Sequence, residues 1–253
     1  IWSIIALLVA PWIMAFISIP DLESVYAHES NTVLLVAFFG LLWGIGDILF
    51  GKGIDYLGVS LSLPIMQGLI NVVGTLMPVI LRNPSELLTP TGLKLLTGTV
   101  IILAGIIFFA IAGHNRDSKS RQTHSETPIK KNFRKGLIIC LLAGIFGPMI
   151  NFAFVYGAPL QEKAVATGAS SLYAANVIWS IALSAGFIIN LLECIRLFGK
   201  NQSWKTYRHR TTGGLIMASL AGVLWYLSIM FYGMGGSFMG VLGASVGWAT
   251  MQS

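Results

Sequence analysis

Charged side chains are scarce in this chain: Asp, Glu, Lys and Arg together make up 10% of its 253 residues. Soluble domains carry about 25%, so an ordinary globule in water is excluded. Hydrophobic residues reach 55% and mean hydropathy is +0.77, more apolar surface than a fold of this size can hide from water. Cysteine is nearly absent. The two present, Cys140 and Cys194, lie inside or at the edge of apolar runs and supply neither a disulfide framework nor a zinc spacing. Histidine is confined to His28, His114, His124 and His209, all in hydrophilic connections. The chain therefore lacks the carboxylate clusters and His-Asp pairs that a membrane-embedded acyl or prenyl transferase needs. It has no ATP-binding motif, and the Gly-rich stretch 44–53 follows no strand, which argues against phosphate binding. No catalysis, cofactor or metal is expected, and the solvent is lipid.

Crossing about 30 Å of hydrocarbon at 1.5 Å per residue takes roughly 20 apolar residues. Eight runs qualify or nearly so: Ile1–Ile19, Val33–Phe50, Gly58–Leu81, Leu93–Gly113, Gly136–Tyr156, Ser171–Leu192, Gly214–Tyr232, and a last one from Ser237 that reads as unfinished. None alternates polar and apolar as barrel strands do, so all are expected to be helices. Ile1–Ile19 lacks a basic leader and a small-residue cleavage site and reads as a span.

The net charge of +6 comes from two connections. Arg116, Lys119, Arg121, Lys130, Lys131, Arg134 and Lys135 fill one; Arg196, Lys200, Lys205, Arg208 and Arg210 fill or flank the other. Two spans lie between them, so both fall on one side, which the positive-inside rule makes cytoplasmic. The expected cytoplasmic segments are 114–135 and 196–212. Pro20–Thr32, with Asp21, Glu23 and Glu29 and no Lys or Arg, then faces outside. The basic clusters fit topogenesis or anionic lipid headgroups rather than nucleic acid. Glu193 and Arg196, three residues apart, are expected to form a surface pair.

Phe38–Ile70 aligns without a gap on Leu220–Gln252, matching Gly40 with Gly222, Trp43 with Trp225, Gly51 with Gly233 and Gly58 with Gly240. Five spans separate the two starts, and an odd number makes the copies run in opposite directions. That is an inverted repeat, an architecture that builds a substrate site near the bilayer midplane. It divides the chain into a first repeat (1–113), a basic linker (114–135) and a second repeat (136–253). Each copy lacks a helix that the other has, so the repeat predicts a ten-helix parent of two inverted five-helix units, with one helix before Ile1 and more beyond Ser253.

Polar residues inside the runs form stripes. Gln67, Asn71, Gly74 and Pro78 share one face. Asn176, Ser180 and Ser184 share another, with Asn190 returning to it, and Asn151 follows Cys140, Gly144 and Gly147 on a third. Such faces suit a neutral, hydroxyl-rich solute; they also suit simple helix-to-helix bonding. Trp43, Trp225, Tyr226 and Tyr232 fit stacking on a sugar ring, aromatic belts or packing. Asp47 stands about one turn from the middle of its run, where a carboxylate is costly and by default faces a cavity. A proton-coupling role, contact with the sugar, a bond to a neighbouring helix and a reach to the interface with Lys52 are all open. Lys52 and Asp55 are placed in a tight connection.

Leu42-Trp-Gly-Ile-Gly-Asp47, Phe50-Gly-Lys-Gly-Ile-Asp-Tyr-Leu-Gly58 and Gly74-Thr-Leu-Met-Pro78, with Ile188-Ile-Asn-Leu191, Cys194, Arg196-Leu197, Leu224-Trp-Tyr-Leu227 and Phe231-Tyr232, resemble the L-rhamnose/proton symporter family of the drug/metabolite transporter superfamily. The resemblance runs over nearly the whole chain. It implies ten helices and a bacterial inner-membrane carrier that imports L-rhamnose or a related deoxy sugar with a proton. Where members of that family carry an amide, this chain has Asp47. The expected substrate contacts are Trp43, Gln67, Asn71, Asn151, Asn176, Trp225, Tyr226 and Tyr232, with Asp47 coupling the proton. The partners are then a small sugar, a proton and membrane lipid, with the oligomeric state open. The rival reading is another carrier of the superfamily, an exporter or exchanger of metabolites or nucleotide sugars. A nucleotide sugar would call for cations at the site, where Lys52 alone lies near the middle of the repeat.

Overall fold

Helices follow from the solvent, because in hydrocarbon every backbone N–H and C=O must be satisfied within its own segment. The computed structural model describes residues 1–82, 84–123, 133–203, 211–239 and 243–252, and among them there is no strand. The chain is an all-α polytopic membrane protein. Its helices are α1 (Trp2–Ser18), α2 (Leu22–His28), α3 (Ser30–Leu57), α4 (Val59–Arg82), α5 (Pro90–Thr123), α6 (Phe133–Phe146), α7 (Met149–Tyr156), α8 (Ala158–Ala166), α9 (Asn176–Asn201), α10 (Thr212–Phe238) and α11 (Gly243–Gln252). Among the described residues six runs are long and apolar enough to cross a membrane, with α6 to α8 forming one of 34 residues; the bent pair α1 and α2 raises the number to seven. Side chains such as Phe16, Leu34, Val100, Ile101, Phe108 and Met217 are exposed, as a lipid-facing surface requires.

Hydropathy locates these helices but underestimates their length. α3 runs on past Phe50 to Leu57, so Lys52 and Asp55 lie within a helix and not in a connection. The turn comes at Gly58, whose φ of +75° favours a residue without a side chain. α5 continues beyond Gly113 to Thr123, carrying the first part of the expected basic linker in helix; 124–132 lie outside the described residues. α9 begins five residues later than expected and extends through Glu193 and Arg196 to Asn201. Charged residues end a hydrophobic run without ending backbone hydrogen bonding, which explains the three extended C-terminal ends. The acidic connection after α1 contains α2, capped by Asp21, whose Oδ1 accepts from Ser24 N–H at 3.2 Å, and bent 101° from α1. Ser237, expected to open the last span, belongs to α10; the described part of α11 has ten residues, short of a crossing. α3 ends at Leu57 and α10 at Phe238.

By packing, the chain divides into two compact units, one of Ile1–Ile45 with Met149–Gly247, the other of Gly46–Pro148 with Trp248–Ser253. Each combines segments from both halves of the sequence. In the first, Gly40 and Gly44 bring α3 against the backbone of α9 at Ala182 and Gly186, where a Cβ on Gly44 would stand 2.8 Å from the Gly186 carbonyl oxygen. Small residues one turn apart are what close helix crossings in lipid require. In the second, Leu57, Leu61, Ile65, Met66, Cys140 and Ala143 form the core. The expected polar face of Cys140, Gly144 and Gly147 is a packing face there: a Cβ on Gly53 would stand 2.9 Å from Cys140 Sγ, Gly144 abuts Leu69, and a Cβ on Gly147 would stand 2.7 Å from Ile70. Helix α6 ends just before Gly147 and Pro148, so Asn151 does not continue that face.

Candidate functional site

The polar stripe of α9 is a fastening. Asn176 Nδ2 donates to Ser18 Oγ at 3.0 Å, and Asn176 Oδ1 accepts from the Tyr226 hydroxyl at 3.2 Å. Tyr26 Oη lies 2.7 Å from Ser180 Oγ and 3.1 Å from the Val177 carbonyl oxygen. Trp12 Nε1 donates to Ser184 Oγ at 2.8 Å. Asn190 turns back on its own helix, donating to the Gly186 carbonyl at 3.3 Å. Asn176, Ser180 and Tyr226 are buried, so these bonds tie α1, α2, α9 and α10 together out of contact with solvent.

A second constellation surrounds Asn151, at the start of α7 just beyond the Gly147-Pro148 break. Its Oδ1 accepts from the Tyr232 hydroxyl, and its Nδ2 donates to the Ala244 carbonyl at 3.2 Å. The same carbonyl lies 3.0 Å from the Tyr232 hydroxyl. The rings of Phe154 and Tyr232 pack at 5.0 Å, and Phe154 stacks on Trp179 at 5.4 Å and 9°. An amide, a phenol and a carbonyl are thus grouped beside three aromatic rings in the interior of one unit. Both Asn–Tyr pairs end on α10, at Tyr226 and Tyr232. Amides and phenols both donate and accept, which is the chemistry a neutral polyhydroxylated ligand engages, and the broken helix beside Asn151 is a feature of membrane substrate sites.

The expected tryptophans meet each other. Trp43 and Trp225 stack at 5.8 Å and 28°, Trp2 meets the edge of Trp225 at 5.5 Å, and Trp43 is wedged against Gly186. Stacking on a sugar would require their rings to part. The other expected residues belong to the second unit. Asp47 is half-buried on α3, Gln67 is exposed, and half-buried Asn71 accepts at Oδ1 from Thr75 Oγ1 at 3.1 Å, a bond within α4. Trp248 is buried over Gly74, with Nε1 donating to the Ile70 carbonyl at 3.1 Å. Glu193 and Arg196 form the expected exposed pair, a two-pronged contact of 2.6 Å at each prong.

Sequence reading did not single out Tyr26, Ser18, Phe154 or Trp179. Tyr26 and Ser18 sit in or beside what reads as a hydrophilic connection, and Phe154 and Trp179 look like ordinary apolar filling. The only signal was that a tryptophan in a span carries an N–H needing a partner. That of Trp179 has none among the described residues, although the side chain is fully buried. An unpaired buried donor costs about 1–3 kcal/mol.

Apolar helices with exposed greasy faces, their polar side chains paired across helix interfaces, define a polytopic helical membrane protein with an interior amide–phenol cluster. The chain belongs to the L-rhamnose-proton symport protein (RhaT) family, whose model matches residues 1–250. Relatives named L-rhamnose-proton symporter include those of Yersinia pestis (strain Pestoides F) and Yersinia pseudotuberculosis serotype O:1b (strain IP 31758), each 35% identical over 246 residues, covering 92% of this chain and 70% of the relative. That of Yersinia pestis bv. Antiqua (strain Antiqua) is 35% identical over 242 residues, covering 91% and 69%. No solved structure matches the chain.

Proposed function

We propose that this chain is a secondary active carrier of the drug/metabolite transporter superfamily that imports L-rhamnose, or a related deoxy sugar, with a proton across the bacterial inner membrane. The observation that carries this reading is the family match over residues 1–250, with relatives named L-rhamnose-proton symporter over nearly the same span. The polar interior supports it. A neutral sugar offers hydroxyls alone, and the clusters about Asn151–Tyr232 and Asn176–Tyr226 offer amide and phenol groups able to exchange their mutual bonds for bonds to hydroxyls. We assign sugar contact to these four residues, with Trp43 and Trp225 as the aromatic surface. Proton coupling needs a group that titrates inside a span, and Asp47 has that chemistry. The basic segments 114–135 and 196–212 face the cytoplasm, and the acidic segment about α2 faces outside.

The test is uptake of labelled L-rhamnose by the full chain in proteoliposomes under an imposed pH gradient. Accumulation above equilibrium that a protonophore collapses is the expected result. Absence of uptake for L-rhamnose and for a panel of neutral deoxy sugars overturns the reading.

A further inference from the structure

Trp179 differs from half-buried Trp12 and buried Trp248. Trp12 and Trp248 spend their N–H groups on Ser184 and on the Ile70 carbonyl, whereas Trp179, in the first turn of α9, is fully buried with Nε1 unpaired. Its surroundings explain why nothing in the resting protein satisfies it. A Cβ on Gly233 would stand 2.9 Å from Nε1 and 2.7 Å from Ala175 Cβ, so the N–H edge faces a glycine and an alanine. Phe154 covers the ring at 5.4 Å, and Tyr232 lies across it at 6.0 Å and 42°. Ala175, Phe154 and Gly233 offer no polar side-chain atom, and a buried water needs two to four polar partners, roughly speaking, to be retained. An acceptor there must be held by something other than Trp179. The neighbour able to hold it is the Tyr232–Asn151 pair, since Tyr232 touches the indole with its ring and bonds Asn151 with its hydroxyl.

We propose that Trp179 is a specificity-determining residue of the sugar site: its indole N–H donates to one hydroxyl oxygen of the transported sugar, while Asn151 and Tyr232 bind neighbouring hydroxyls. The assignment rests on the sugar-symport reading and adds to it a residue, an atom and a recognised group. Gly233 is part of the device, because the first carbon of any side chain there would crowd the N–H at 2.9 Å, so the sugar oxygen reaches it only as α10 draws back from α9. A site that donates to a hydroxyl discriminates against the analogue lacking it, whose absence leaves the donor unpaired again.

The experiment measures apparent KM for L-rhamnose and for its monodeoxy analogues in proteoliposomes, with wild type, Trp179→Phe and a form in which Trp179 is replaced by benzothienylalanine, which keeps the ring shape and has sulfur in place of the N–H. Both altered forms are expected to raise KM for L-rhamnose by roughly three- to tenfold, with little change in maximal rate per folded carrier. One monodeoxy analogue, penalised by a similar factor in wild type, should suffer no further penalty in either altered form. Unchanged KM in the benzothienyl form, or penalties that multiply for every analogue, overturns the assignment even if Trp179→Phe folds poorly. A wild type that carries no sugar in the panel overturns the symport reading and this assignment together, so the two failures are distinct.

Discussion

Trp43 and Trp225 occupy equivalent positions in the two copies of the sequence repeat, and their rings stack on one another at 5.8 Å. Aromatic pairs contribute about 0.5–1.5 kcal/mol beyond their buried area. A double-mutant cycle with Trp43→Leu and Trp225→Leu, read by thermal unfolding in detergent, should give a coupling in that range; additive effects would mean the stack contributes nothing.

Tyr232→Phe removes the hydroxyl that Asn151 Oδ1 accepts from and leaves the ring packing against Phe154 intact. Interhelical hydrogen bonds in membrane proteins contribute about 0.6–2 kcal/mol. A loss of stability of that size, together with a raised KM for sugar, is expected from thermal unfolding and uptake measured on the same preparation. Unchanged KM would remove Tyr232 from the sugar site while leaving its structural bond in place.

Gly44→Val places branched carbons where α3 meets the α9 backbone at Gly186. Overpacking costs about 1–3 kcal/mol or more, so the variant should unfold earlier or fail to accumulate in the membrane. Gly51→Ala is the control, since no atom lies within 4 Å of a Cβ built there. Equal behaviour of the two variants would contradict the close crossing.

Asp47→Asn keeps hydrogen-bonding capacity but cannot titrate. If Asp47 carries the coupled proton, uphill accumulation driven by a pH gradient should disappear while exchange of sugar down its gradient persists. Weaker affinity with coupling intact would point to sugar contact, and lower stability with both transport modes unchanged would point to packing. Simultaneous measurement of proton and sugar flux in vesicles separates the three.

Orientation is tested by single cysteines in a Cys140→Ala, Cys194→Ser background. Ala27→Cys, at an exposed position of α2, should react with an impermeant thiol reagent added to intact cells, and Ser203→Cys should react only after the membrane is opened. Labelling of Ser203→Cys from outside would invert the topology.

Apolar runs made the helices legible, because lipid leaves the backbone no other way to satisfy itself. Their ends were not: Lys52, Asp55, Glu193 and Arg196 end hydrophobicity, yet the helices continue through them. Helical periodicity placed Asn176, Ser180 and Ser184 on one face correctly, but a face does not reveal its partners. Those came from Ser18, Tyr26 and Trp12, more than 150 residues away in the chain. The Gly147-Pro148 break separated Asn151 from the stripe that sequence spacing had joined it to. Gln67 and Asn71 matched the other polar residues in chemistry, but they lie in a different compact unit from Asn151 and Asn176. Trp179 was invisible because an unpaired donor is a property of its surroundings.

The fastening of the N-terminal helices has a consequence for biosynthesis. Tyr26 and the Val177 carbonyl it faces are 151 residues apart, and at roughly 5–20 residues per second the ribosome needs about 8–30 s to cover that interval. Throughout it, Trp12 and Ser18 of α1 and Tyr26 of α2 lack their eventual partners on α9. Insertion of α9 is therefore the step that locks α1 and α2, and a nascent protein arrested before Asn176 carries that bent pair unsecured and exposed to membrane quality-control proteases.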